Sequence, residues 1–226
     1  MPKLKLSLIE KLTLVLIALI LIVAFGLFIF NPFLLDVYLE EDGIVEWLTV
    51  AGLLAGFCIC IYRFIKLIKV KNWWFLTVTL ILGILLFIAA GEEISWGQRI
   101  LGIKSSGYFL KNNAQGETNI HNLVINGVKI NKLVFSTILI TVLGIYLVVL
   151  PLLYKAKTGI KQFIDNSGVP VPKTYQIFSF LVVFSISSLL KHERNPELLE
   201  SAAAILFFLI IFSPFNKYIF QKRGIF

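Results

Sequence analysis

Residues 13–30 run for 18 positions without a charged side chain. A helix rises about 1.5 Å per residue, so such a run nearly spans the roughly 30 Å of bilayer hydrocarbon. Lys3, Lys5 and Lys11 precede it, and Asn31-Pro32-Phe33-Leu34-Leu35 extends it with no small-residue cleavage site. It reads as a retained membrane helix rather than a signal peptide. Further apolar stretches lie at about 44–68, 73–99, 133–154, 175–190 and 198–220, and the first covers about 13–35. The sequence predicts an all-α polytopic membrane protein, one integral domain over 1–226. Its expected architecture is a six-helix transmembrane bundle with a polar insertion between spans three and four. The 58% apolar and 15% charged content fits that class, since soluble domains are nearer half and a quarter. No internal repeat or low-complexity linker divides the chain.

A net charge of +8 would point to nucleic acid in a soluble protein. In a membrane protein basic residues set topology instead. The N-terminus, second loop, fourth loop and C-terminus hold 14 of the 21 basic residues but only two of the 13 acids, Glu10 and Asp165. The first, third and fifth loops hold the other seven basic residues and eleven acids. Six spans put these sets on opposite faces, and the positive-inside rule then places both termini in the cytoplasm. The expected location is the plasma (bacterial inner) membrane, with lipid and not nucleic acid as partner; oligomeric state leaves no signature. Cys58 and Cys60 face different ways on a helix, which disfavours a disulfide or a metal pair.

Nearly all the unusual polar residues fall on the non-cytoplasmic side. Gly91-Glu92-Glu93-Ile94-Ser95-Trp96-Gly97-Gln98-Arg99 directly continues the third apolar run. Carboxylates at a membrane-embedded helix end are costly unless paired, metal-bound or facing a wet cavity. On a continuing helix Glu92, Trp96 and Arg99 share a face, so Arg99 would neutralise Glu92 and leave Glu93 as base or ligand. An interfacial anchor is the simpler alternative, with Trp96 in the aromatic belt. Residues 112–122 are mostly amide, carboxylate, hydroxyl or imidazole bearing. On a helix Glu117 and His121 would be neighbours; on a strand they would not touch. Asn126-Gly127 that follows is either a hairpin turn or a helix end. With two histidines in the chain, a three-His zinc site is excluded, and a mixed His–carboxylate site stays open. His192 and Glu200 are candidates for it, whereas Glu197 reads as an ordinary first-turn acid. Glu40, Glu41 and Asp42 mark the outer face, and Glu46, one turn into span two, is a buried candidate. GxSxG, HExxH, P-loop and dinucleotide glycine motifs are absent.

At 91–99 and at Gln115-Gly116-Glu117-Thr118-Asn119-Ile120-His121-Asn122 the chain resembles an uncharacterised family of bacterial multi-pass membrane proteins. Glu41-Asp42-Gly43-Ile44-Val45-Glu46-Trp47 looks similar too. That resemblance brings no established activity. In outline, Glu92, Glu93 and Arg99 with His121 and His192 are also similar to glutamate-dependent intramembrane proteases of the CAAX-processing type. The spacing from the pair to Arg99 is wider than that family's EExxxR, and the later His motifs differ.

The leading expectation is a membrane-embedded hydrolase or transferase acting on a lipid or lipid-linked substrate. Glu92 or Glu93 would activate water or a substrate hydroxyl, His121 would be partner acid/base, and Arg99 with Gln98 would hold an anionic or carbonyl oxygen. Trp96, Gln98, Asn113, Gln115, Glu117, Asn122 and Glu46 would contact substrate. A divalent metal, if used, would fall to Glu93, His121, His192 and Glu200. The rivals are a transporter or channel binding a cation or proton at Glu92/Glu93, and an assembly protein whose polar cap binds a partner.

Overall fold

The computed structural model describes residues 5–40, 42–125, 127–130 and 139–221. Glu41, Asn126, the first part of the expected fourth span, and Lys3, Lys132, Lys222 and Arg223 lie outside them. Helix α1 (Leu8–Phe30) opens on a capping box, Glu10 N–H donating to Ser7 Oγ and Ser7 N–H to Glu10 Oε2. It stops at Asn31. Pro32 cannot donate a helical N–H and pushes the residue before it out of helical geometry; Asn31 stands at φ −156, ψ 81. Asn31 then caps α2 (Pro32–Tyr38) through Leu34 N–H. The expected 13–35 span is thus two helices with a corner at Pro32.

The centre is α3 (Ile44–Leu67), packed against both α4 (Trp73–Glu93) and α11 (Asn195–Phe212). Gly52 lets α11 come close: a Cβ there would lie 3.1 Å from the Ala204 carbonyl carbon and the Ile205 nitrogen. Small residues at such a crossing replace the hydrophobic drive that lipid does not supply. Val50, Leu53, Leu86, Ala90, Ala204 and Ile211 form the core between these three helices. A second core joins α1, α11 and α10 (Thr174–Leu189) through Ile17, Leu21, Val183, Leu198, Leu206 and others.

Helices α1, α3, α4 and α11 are each long and apolar enough to cross a membrane. Two shorter apolar helical stretches accompany them, 141–156 and Thr174–Leu189. The first comprises most of α7 (Leu139–Gly144), a π-turn at Ile145–Val149 and α8 (Leu150–Ala156). The widened turn sits just before Pro151, whose ring would otherwise clash with the preceding turn.

Helix α4 ends at Glu93, short of the expected Arg99. Ser95, Trp96 and Gly97 take φ of +47, +56 and +74. Left-handed backbone is costly for the two side chains with a Cβ, and it turns the chain sharply. Two short helices follow, α5 (Gln98–Leu101) and α6 (Gly107–Asn112). A two-residue antiparallel ladder comes next, β1 (Val124–Ile125) on β2 (Val128–Lys129). The two strands pair with Gly127 at φ +78 between them, while Asn126 lies outside the described residues. At the far end α9 (Thr158–Ser167) packs beside α4, with Trp74 Nε1–H donating to Ser167 Oγ.

Candidate functional site

Four segments distant in sequence meet at the Glu93 end of the helices. Arg99 is the hub. Its Nε lies 3.1 Å from Asp42 Oδ1, one terminal nitrogen 2.7 Å from Glu46 Oε1, and the other 3.4 Å from Glu117 Oε1. Asp42 N–H also donates to Glu46, which is almost wholly buried. The sharp turn after α4 produces this arrangement. It carries Arg99 back over the first turn of α3, so Arg99 does not neutralise Glu92 along a helix face as expected.

Glu92 is held instead by three N–H donors. Trp96 Nε1 donates to Oε1 at 2.8 Å, and the backbone N–H groups of Ile120 and His121 donate to Oε2 at 2.6 and 3.1 Å. The Trp96 ring packs flat against Gly91, where a Cβ would sit 2.8 Å away. Glu117 accepts from the fully buried Ser95 hydroxyl, which in turn accepts from Asn119 Nδ2. Asn113 folds the loop on itself: its Oδ1 accepts from Gln115 and Glu117 N–H, and its Nδ2 donates to Asn119. Asn122 donates to Gln115 Oε1, and Gln98 bridges Ser105 Oγ and Thr118 N–H. Seven residues assigned from sequence to substrate contact or catalysis (Arg99, Trp96, Gln98, Asn113, Gln115, Glu117, Asn122) are therefore bonded to one another or to the protein's own loop.

Glu93 differs. Among the described residues no hydrogen-bond donor reaches the side-chain carboxylate of Glu93 or of Glu200. With Glu197 they form a triad: one oxygen from each lies within 4.8 Å of the other two. Glu93 comes from the last turn of α4, Glu197 and Glu200 from the first turns of α11, and i, i+3 spacing sets the latter two on one face. Glu46 adds its charge to the field at Glu93 and Glu200, and Arg99 opposes it at Glu93. Three carboxylate oxygens at this spacing are a donor set for a hard divalent cation.

The histidines stand apart from the triad's geometry. His192 Nε2 pairs with Asp36 Oδ1 at 3.0 Å, linking the α10–α11 turn to α2. His121 lies in the loop, neither helix nor strand at Glu117, so the i, i+4 pair with Glu117 does not form. Burial pushes the His121 imidazole below its ordinary value while the Glu92 carboxylate pulls the other way. Sequence reasoning read Glu197 as a plain helix starter. Its spacing from Glu200 was visible, but the convergence of both on Glu93 requires the α4–α11 packing. Ser95 and Asn119, the buried polar centre of the loop, left no such signal. No protein family, curated protein or solved structure matches the chain.

Proposed function

We propose that the chain crosses the plasma (bacterial inner) membrane six times with both termini in the cytoplasm, and that it is a membrane-embedded hydrolase or transferase. Its substrate is a lipid or lipid-linked molecule reached from the non-cytoplasmic leaflet, and its centre is Glu93 with Glu197 and Glu200. The two shorter apolar stretches supply spans four and five, and the division of charge between loops supports the sidedness. The observation that carries the catalytic reading is the triad itself. Three carboxylates crowd within 4.8 Å of one another at a membrane end, and among the described residues no hydrogen-bond donor reaches those of Glu93 and Glu200. Such crowding is costly unless a cation or a shared proton occupies it.

Chemically, the triad offers two linked services. Glu93 takes the proton from water or a substrate hydroxyl as that oxygen attacks the carbonyl carbon or phosphorus, and gives it to the leaving oxygen as the bond to that oxygen breaks. A divalent cation held by the three carboxylates would polarise the carbonyl or phosphoryl oxygen under attack. Glu92, Arg99 and the loop amides position these groups: Glu92 and Arg99 tie the loop to α3 and α4, which fixes the start of the left-handed turn next to Glu93. The analogy with glutamate-dependent proteases then rests on Glu93, since Glu92 is committed to the loop.

Glu93→Gln is the test. In protein reconstituted with lipid and lipid-linked substrates, the variant should lose turnover while remaining at least as stable as wild type, and chelation of divalent ions should reproduce the loss. Glu93-dependent movement of ions or solutes across the liposome, with no chemical change in any lipid, would replace this reading with the carrier one.

A further inference from the structure

The insertion after α4 is turned inside out. Between residues 95 and 123 the buried residues are the polar Ser95, Asn113 and Asn119, at 0%, 7% and 3% exposure, and one apolar residue at the far end, Leu123, at 7%. The large apolar side chains of the same segment point outward. Ile100, Leu101, Ile103, Tyr108, Leu110 and Ile120 are each between 57% and 68% exposed. A loop bathed in water sorts the other way, with apolar groups inside and amides out. A segment in lipid must satisfy its polar groups internally and can present apolar ones freely.

The hydrogen bonds fit the second environment. Asn113, Asn119, Ser95, Glu117, Gln98, Ser105 and Thr118 bond mainly to one another, and Arg99 carries the loop's charge into contact with Asp42 and Glu46. The position fits too. The segment leaves an apolar helix at Glu93 and is tied at Arg99 to the first turn of another, so it starts at the membrane boundary. Lys104 and Lys111, both exposed, sit beside the apolar residues, and their long stems let the ammonium groups reach phosphate while the neighbours stay in hydrocarbon.

From this we infer that residues 98–123 are an interfacial element docked into the leaflet at the Glu93 end, its outward apolar side chains seated among acyl chains and its lysines at the phosphates. It is a lipid-binding surface. The inference depends on the membrane location and not on the chemistry at Glu93.

Spin labels placed singly at Leu101, Ile103 and Leu110, in a Cys58→Ala, Cys60→Ala background, test it in phosphatidylcholine–phosphatidylglycerol vesicles. Collision with oxygen relative to a water-soluble nickel complex should be several-fold higher at these sites than at Lys69, in the turn between α3 and α4, and lower than at Leu85 in mid-α4, because these labels sit at shallower depth. A ratio equal to that at Lys69 would overturn the inference. Protection from both reagents would overturn it as well, since a protein partner or a second copy would then cover the face. Unmodified protein gives an independent reading: a phospholipid with a diazirine near the glycerol end of its acyl chain should label the peptide over 98–123, and labelling confined to the long helices would count against docking.

Discussion

The two polar ends of this helical bundle solve the same problem in opposite ways. At the basic end Glu10 is buried and accepts from Lys173 Nζ, the Tyr175 hydroxyl and Ser7 N–H at 2.9, 2.6 and 2.8 Å. Gln176, fully buried, donates to the Leu209 and Ser213 carbonyls, and Lys173 also reaches Ser213 Oγ. Asp165 gathers Tyr154, Tyr218 and Asn216. Each acid there has donors around it. At the Glu93 end one arginine serves Asp42, Glu46 and Glu117, Glu92 is saturated by N–H groups, and Glu93 and Glu200 are left facing Glu197. A closed network stabilises a fold; crowded carboxylates beside a strained turn do not, and that uncompensated cost is what the proposed catalytic reading accounts for.

The largest effect that would break this contrast is expected at Glu10. Glu10→Ala strands the Lys173 ammonium, whose side chain is 29% exposed. Removing one partner of a buried pair costs roughly 3–5 kcal/mol, and partial exposure puts this case at the low end. Thermal or denaturant unfolding in detergent measures it. A loss below about 1 kcal/mol, the range of exposed pairs, would mean that the basic end is no more a closed network than the other.

Glu93→Gln and Glu200→Gln should move stability the other way or not at all. Each removes a carboxyl group from a crowded cluster and breaks no hydrogen bond seen here, so the expected change runs from zero to about 1 kcal/mol of stabilisation. The same unfolding assay distinguishes the two ends by sign. A clear destabilisation by either variant would make the triad a structural network like that around Glu10.

The smallest effect concerns pH. His121 is held below its ordinary value by burial, so the unfolded chain binds its proton first on acidification, near the unperturbed value of about 6.5. Stability from the neutral imidazole is fully present above that pH and falls as pH drops toward the depressed folded value. The wild-type melting temperature should therefore decline more steeply below about pH 6.5 than that of His121→Gln. Parallel curves would remove His121 from the polar loop's energetics and leave the contrast to the carboxylates.

Much of the scaffold was legible in the residues alone. Apolar runs such as 13–30 and 44–67 leave a backbone in lipid no option but to bond to itself as helix, and the predicted bounds of α3 and α10 agree with the observed ones to within a residue or two. The corner at Pro32 is missed, since the expected span runs straight through it, but the separation of acids from bases foreshadows two unlike ends. The tertiary structure decided what each acid does. Glu92 and Glu93 are adjacent and chemically identical, yet one meets the N–H groups of Ile120 and His121 and the other meets α11. Where α4 stops was likewise set by the turn at Ser95–Gly97 and the Arg99 contacts beyond it. Helix formation is local, so its signal is in the sequence; the partner of a carboxylate comes from a segment tens of residues away, and only packing brings it there.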